Sequence, residues 1–157
     1  MSEPDVPEPD VSEPGLPEQG ISEPTLTGGC QCGAARYEIS ATPLRLFACH
    51  CRECRKQSAS AFGMSLVVKR AAVTLTKGET RTWSRKADSG RTVAGIFCVA
   101  CGTRLWHAKE GFDYVSIKGG SLDVPLDFSD AIHCWTASKL PGMAIPPTAK
   151  QFPKEPA

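Results

Sequence analysis

Beyond residue 26 the apolar positions gather in short runs rich in β-branched and aromatic side chains, at 35–39, 44–48, 62–68, 73–75, 80–83, 92–97, 103–107, 114–118 and 131–136. Gly78, Gly90, Gly111, the pair Gly119 and Gly120, and Pro125 punctuate them, the pattern of strands joined by tight turns. Only 52–60 reads as helix, about two turns of it. A mostly β domain built from small packed sheets is predicted. Trp83, Trp106 and Trp135 are expected on sheet faces or in the core, and Asp123, Asp127 and Asp130 at turns.

Residues 2–26 follow another rule. They repeat in fives as SEPDV, PEPDV, SEPGL, PEQGI and SEPTL, with seven acidic residues, six prolines and no Lys or Arg. Proline at this density blocks both helix and sheet, and one aliphatic side chain per pentad builds no core. An extended, disordered acidic tail over 1–26 is predicted, ahead of a single domain at 27–157.

The tail changes how the charge is read. The chain's net +1 conceals a domain that holds all 18 basic residues and only 10 of the 17 acidic ones, net +8. Such a balance suits an anionic substrate, or offsets the charge of metal-bound thiolates. No run of Lys and Arg interleaved with aromatics is present, which argues against nucleic acid as the partner. With 41% hydrophobic and 22% charged residues the composition is that of a soluble globular protein. No window approaches the roughly 18 apolar residues of a membrane helix, and the acidic N-terminus lacks the basic-then-apolar order of a secretory signal. A soluble cytoplasmic protein is expected.

Eight cysteines among 157 residues are many for a reducing compartment, where clustered thiols more often hold metal than form disulfides. They fall as Cys30-x-Cys32, Cys49-x-Cys51-x-x-Cys54, Cys98-x-x-Cys101 and a solitary Cys134. A tetrahedral zinc needs sulfurs roughly 3.8 Å apart, which pairs separated by one or two residues can reach. Cys30, Cys32, Cys98 and Cys101 thus form a complete four-thiolate set, a structural metal site clamping the start of the domain to its middle. Cys49, Cys51 and Cys54 supply only three ligands, and a fourth position left open is the mark of a catalytic site. Alternatively Cys134 or a histidine completes the shell and both metals are structural. His50, between Cys49 and Cys51, points to the opposite face if the segment is extended, and His133 and Cys134 likewise face opposite ways. Arg52, Arg55 and Lys56 are placed to steer an anionic thiol or to offset the thiolates. Phe47 and Phe97, next to ligands, are expected to shield the metals from water.

Gly28-Gly29-Cys30-Gln31-Cys32-Gly33, Cys49-His50-Cys51-Arg52-Glu53-Cys54-Arg55, Phe97-Cys98-Val99-Ala100-Cys101-Gly102-Thr103 and Lys118-Gly119-Gly120-Ser121-Leu122-Asp123 together resemble the glutathione-dependent formaldehyde-activating enzyme family, which includes the zinc domain of centromere protein V. The resemblance runs from about residue 26 to 152. It implies a β-tent fold of small antiparallel sheets with two zinc ions, one at Cys30, Cys32, Cys98 and Cys101, the other at the open site of Cys49, Cys51 and Cys54. It further implies carbon–sulfur lyase chemistry, the reversible condensation of formaldehyde with glutathione, with His50 and His133 as candidate proton donors. A non-catalytic zinc module is the competing reading. A redox role for the Cys-x-x-Cys pairs is weaker, because they sit in knuckle-like turns without a βαβ context.

Overall fold

The computed structural model describes residues 25–156, so the predicted tail lies outside the described residues as far as residue 24. In chain order the elements are β1 (Leu26–Gly29), β2 (Arg36–Ile39), β3 (Arg45–Cys49), α1 (Arg52–Ser58), β4 (Gly63–Lys69), β5 (Val73–Lys77), β6 (Thr80–Lys86), β7 (Thr92–Cys98), β8 (Arg104–Lys109), β9 (Tyr114–Lys118) and β10 (Ile132–Cys134). Single 3-10 turns at Arg70–Ala72, Gly119–Ser121 and Thr136–Ser138 link them.

The strands form a small sheet in the order β1-β2-β5 and a seven-stranded sheet in the order β10-β3-β4-β9-β8-β7-β6. Alternation along β2 explains how the sheets stack: Tyr37 and Ile39 are fully buried while Glu38 between them is exposed. They pack with Leu66 and Val68 of β4, Leu105 of β8, and Val115 and Ile117 of β9 into one core. Trp106 of the large sheet meets the Tyr37 ring edge-on at 5.7 Å between centroids, an arrangement favoured by the ring quadrupoles. At one edge β6 exposes Arg81 and Lys86, charges that discourage pairing with another chain. At the other edge, β10 is covered by the C-terminal segment, where His133 N–H donates to the Lys150 carbonyl and Phe152 N–H to the His133 carbonyl.

Nine predicted strands correspond to β2 through β10, within a few residues at their ends, and the helix ends two residues early at Ser58 because Ala59 turns left-handed at φ 48°. Two features differ from expectation. Leu26, assigned to the tail, pairs with Ile39 as the first residue of β1. And β10 joins β3 in parallel, with Ile132 opposite Phe47, His133 opposite Ala48 and Cys134 opposite Cys49. A parallel neighbour is reachable because some eighty residues separate the two strands, far more than a crossover requires.

Candidate metal centres and the adjoining cleft

Among the described residues, the cysteines of both clusters lie at sheet ends, in the turns beyond them and in the first turn of α1. Cys30 and Cys32 lie just past β1, in a loop closed by Cys30 N–H to the Ala35 carbonyl and Gly33 N–H to the Cys30 carbonyl. Cys98 ends β7, and Cys101 follows in a knuckle closed by Gly102 N–H on the Cys98 carbonyl and Cys98 N–H on the Thr103 carbonyl. Gly102 takes φ +74°, a conformation that a β-carbon would strain. The two pairs converge, with Sγ–Sγ distances of 3.4 Å between Cys30 and Cys32 and 3.9 Å between Cys32 and Cys98. All four sulfurs lie within 4.8 Å of one another, near the edge length of a tetrahedral thiolate shell. Their protons are unevenly held. The Thr103 hydroxyl and N–H bring Cys101 down to about 5, whereas Cys32, despite the N–H of Ala34, is pushed up to about 11 by Cys30 and Cys101 beside it. Four thiols this close cannot all ionise without a cation among them, so the donor set fits a metal ion.

Cys49, Cys51 and Cys54 likewise have their sulfurs within 4.8 Å of one another, and this cluster too can hold a metal. Local chain chemistry makes it. Cys51 is the N-cap of α1 with extended backbone, and its Sγ accepts from the Cys54 N–H at 3.3 Å, so the Cys-x-x-Cys spacing is that of a capped first helical turn. The helix seats on Gly63 of β4, where a β-carbon would approach Cys54 Cβ to 3.0 Å. Hydrogen bonds from the Cys49 and Cys54 thiols, then the backbone N–H groups of the helix start, hold Cys51 down to about 2. Cys49 is raised by Cys134 and Cys51, and Cys54 by Cys49 and Cys51.

The two histidines are found together. His50 Nε2 and His133 Nδ1 share one hydrogen at 3.0 Å, their rings stacked 5.3 Å apart, both buried. Strand alternation places His133 on the face of β10 opposite Cys134 and Cys49. Neither histidine joins a cluster of metal-capable groups among the described residues. Cys134 stands beside Cys49 but outside the mutual cluster of three.

Cys54 also lines a cleft of about 350 Å³ between α1 and the strands β6 to β8. Glu53, Lys56 and Gln57 form the helix side; Trp83, Arg85, Gly95, Arg104 and His107 form the sheet side. Of the three basic helix residues expected to steer a substrate, Lys56 lines this cleft. Trp83 is on a sheet face, 55% exposed. The cationic residues missed in the sequence come from strands: Arg85, Arg104 and Lys118. Lys118 is buried with Ser65 Oγ as its hydrogen-bond partner at 3.2 Å, and burial lowers its pKa while the thiols of Cys54 and Cys49 act against that. Lys118 opens the Lys-Gly-Gly motif of the sequence, but nothing local in that motif tells that its side chain is buried toward the cysteines.

A two-sheet β fold with one four-cysteine and one three-cysteine cluster, the latter beside a cationic cleft, defines a class of small β domains with two cysteine centres able to hold metal. The model of the family "glutathione-dependent formaldehyde-activating enzyme" matches residues 25–138, and the chain belongs to that family. A crystal structure of a Rhodobacter sphaeroides protein superposes with a TM-score of 0.53 at 17% identity, over 68% of this chain and 98% of that one, a likeness of fold.

Proposed function

We propose that the protein is a zinc-dependent carbon–sulfur lyase that interconverts formaldehyde plus glutathione with S-hydroxymethylglutathione. The observation that carries this reading is the three-cysteine cluster whose Cys54 lines a cleft large enough for a small ligand. Zinc is the metal favoured by all-thiolate donor sets, and the two clusters support a reading of two ions per chain, one structural and one with a coordination position left for substrate. When bound, the second zinc would supply the Lewis acidity that keeps a substrate thiol ionised at neutral pH.

The chain's own residues account for the rest. Cys49, Cys51 and Cys54 would hold the ion, and the cleft confines thiol and aldehyde in one place, which turns an encounter into a first-order step. Sulfur donates a pair to the formaldehyde carbon, the C–S bond forms, the carbonyl π pair moves to oxygen, and the proton lost by the thiol ends on that oxygen. Nothing is oxidised or reduced. The positive charge of Lys118 offsets the negative charge of thiolates and developing alkoxide. His50 and His133, candidate proton donors, form a buried pair that fixes the turn carrying Cys49 and Cys51. Thiolates of this kind need a reducing compartment, and the cytoplasm is the location we assign; among the described residues no helix is long and apolar enough to cross a membrane.

Exchange NMR on formaldehyde and glutathione, with the zinc-loaded protein against buffer and a Cys54→Ser control, tests the reading. Accelerated interconversion that is lost in the control supports it; no acceleration with both metals present refutes it. Cys134 beside Cys49 favours one competing reading, in which a fourth thiolate closes the second site and the domain is a non-catalytic zinc module. In that case Cys134→Ser loosens the second metal and no variant turns over.

A further inference from the structure

Strand β8 carries an irregularity with a chemical consequence. Along β7 and β8, Val93 faces Lys109, Gly95 faces His107 and Ile96 faces Trp106, but Phe97 faces Arg104. Leu105 is therefore the extra residue of a β-bulge, and the in-out alternation reverses across it. Arg104 and His107, three residues apart, consequently share a face, with Arg104 Nη1 and His107 Nε2 3.0 Å apart. That face is the wall of the cleft beside Cys54.

The guanidinium has a prepared seat. It lies across Gly95, where a β-carbon would come within 1.7 Å of Arg104 Nη1 and 2.6 Å of Cζ, so only glycine leaves room for it. The Phe97 ring supports it, with Cζ 5.8 Å from the ring centroid. Burial of His107 keeps its imidazole neutral, with a pKa near 2, so the ring accepts from the guanidinium instead of repelling it. One donor of five is used in this way, and among the described residues no carboxylate lies within 4 Å of Arg104. Nearby, both polar atoms of the Gln57 amide are shielded from solvent and have no partner. A half-buried arginine held in place by a glycine, an aromatic ring and a neutral histidine, with its remaining donors uncommitted, is a preorganised receptor for a planar anion.

The geometry points to Arg104 as the residue that selects the thiol: its guanidinium binds a carboxylate of the substrate whose sulfur occupies the Cys54 end of the cleft. The assignment rests on the thiol chemistry proposed above and narrows it to carboxylate-bearing thiols, with Gln57 available to a peptide-like amide of the same ligand.

The zinc-loaded full chain can be titrated by NMR with S-methylglutathione, which has both carboxylates and no free thiol, and with its diethyl ester. Wild type should bind the acid at least tenfold more tightly than the ester. Arg104→Met, checked for unchanged metal content, should bind the acid at least tenfold more weakly and lose the discrimination between acid and ester. Arg104→Lys keeps stem and charge but not the fork; a loss of at least threefold is expected there, and this variant decides the matter should the methionine variant fail to fold. Equal affinity of wild type for acid and ester, undetectable binding of the acid, discrimination that survives in Arg104→Met, or discrimination undiminished in Arg104→Lys would overturn the assignment. Discrimination dependent on Arg104, without any acceleration of the formaldehyde reaction, would instead leave the anion site standing and remove the lyase reading.

Discussion

Gly28→Ala should damage the protein far more than a single methyl group suggests. Gly28 faces Tyr37 across β1 and β2 and bridges to Leu122 on its other side. A β-carbon there would come within 2.3 Å of Tyr37 Oη, 2.4 Å of Tyr37 Cζ and 2.5 Å of the Ser121 carbonyl oxygen. The first two atoms belong to a fully buried ring that has nowhere to swing, and the third to backbone. Moving the ring also breaks its 2.8 Å hydrogen bond to Ser121 Oγ. Overpacking costs about 1–3 kcal/mol, and a lost buried hydrogen bond adds about 1 kcal/mol, so about 2–4 kcal/mol is expected. At about 4 °C per kcal/mol for a domain of this size, the melting temperature at fixed zinc should fall by about 8–16 °C. Because Gly28 leads directly into Cys30, retention of the metal at the four-cysteine centre should fall as well. Tyr37→Phe alone should cost about 1 kcal/mol, and less in the Gly28→Ala background, because the closest colliding atom is gone. A melting temperature within about 2 °C of wild type, or strict additivity of the two substitutions, would refute the reasoning.

Other outcomes follow from the two centres and the cleft. Cys101→Ser should lower the bound metal by one ion per chain and the melting temperature with it, leaving the second ion in place, as elemental analysis and calorimetry would record. His107, half-buried and held neutral by desolvation, has a folded pKa near 2 against an unfolded value near 6.5; the unfolded chain therefore binds the extra proton between these values, and stability is lost as pH falls below about 6.5. His107→Gln, which keeps an acceptor for Arg104, should flatten the fall by up to about 1.4 kcal/mol per pH unit in that window, read from urea denaturation at a series of pH values; an unchanged slope would contradict it. Lys118→Met removes a buried cation that offsets the thiolates, so a chelator should strip the three-cysteine centre about tenfold faster, with the four-cysteine centre unaffected. Equal stripping of both centres would assign Lys118 to general stability.

Much of this molecule is legible in its sequence because the relevant signals are local. Cysteine pairs at spacings of one and two residues mark turns, and β-branched runs between glycines mark strands, so the metal clusters and nine strands follow from nearest-neighbour chemistry. β1 escapes the same reading, since Leu-Thr-Gly-Gly has little β propensity; its glycines are there because Tyr37 and the Ala35 carbonyl occupy the space of their side chains. The cleft escapes it for a different reason. Arg104 reaches its wall through a bulge, and a single unpaired residue on one strand leaves no periodic trace. The parallel joint of β10 with β3 depends on a closing segment more than eighty residues away, a relation that composition and period do not encode.

The unequal reach of the two cysteine centres also bears on the order in which metal could be taken up. Cys49, Cys51 and Cys54 lie within six consecutive residues, so a chain leaving the ribosome can trap an ion there as soon as that turn emerges. The other centre must wait for Cys101, with Cys30 already 71 positions behind it. A metal captured early at the short turn would organise the start of α1 before either sheet is complete, whereas closing the long-range centre would require β1, β2 and β7 to have met. A cell short of metal during synthesis would then accumulate chains with a filled reactive turn and an unfastened body, with the edges of a half-built sheet open to other nascent chains.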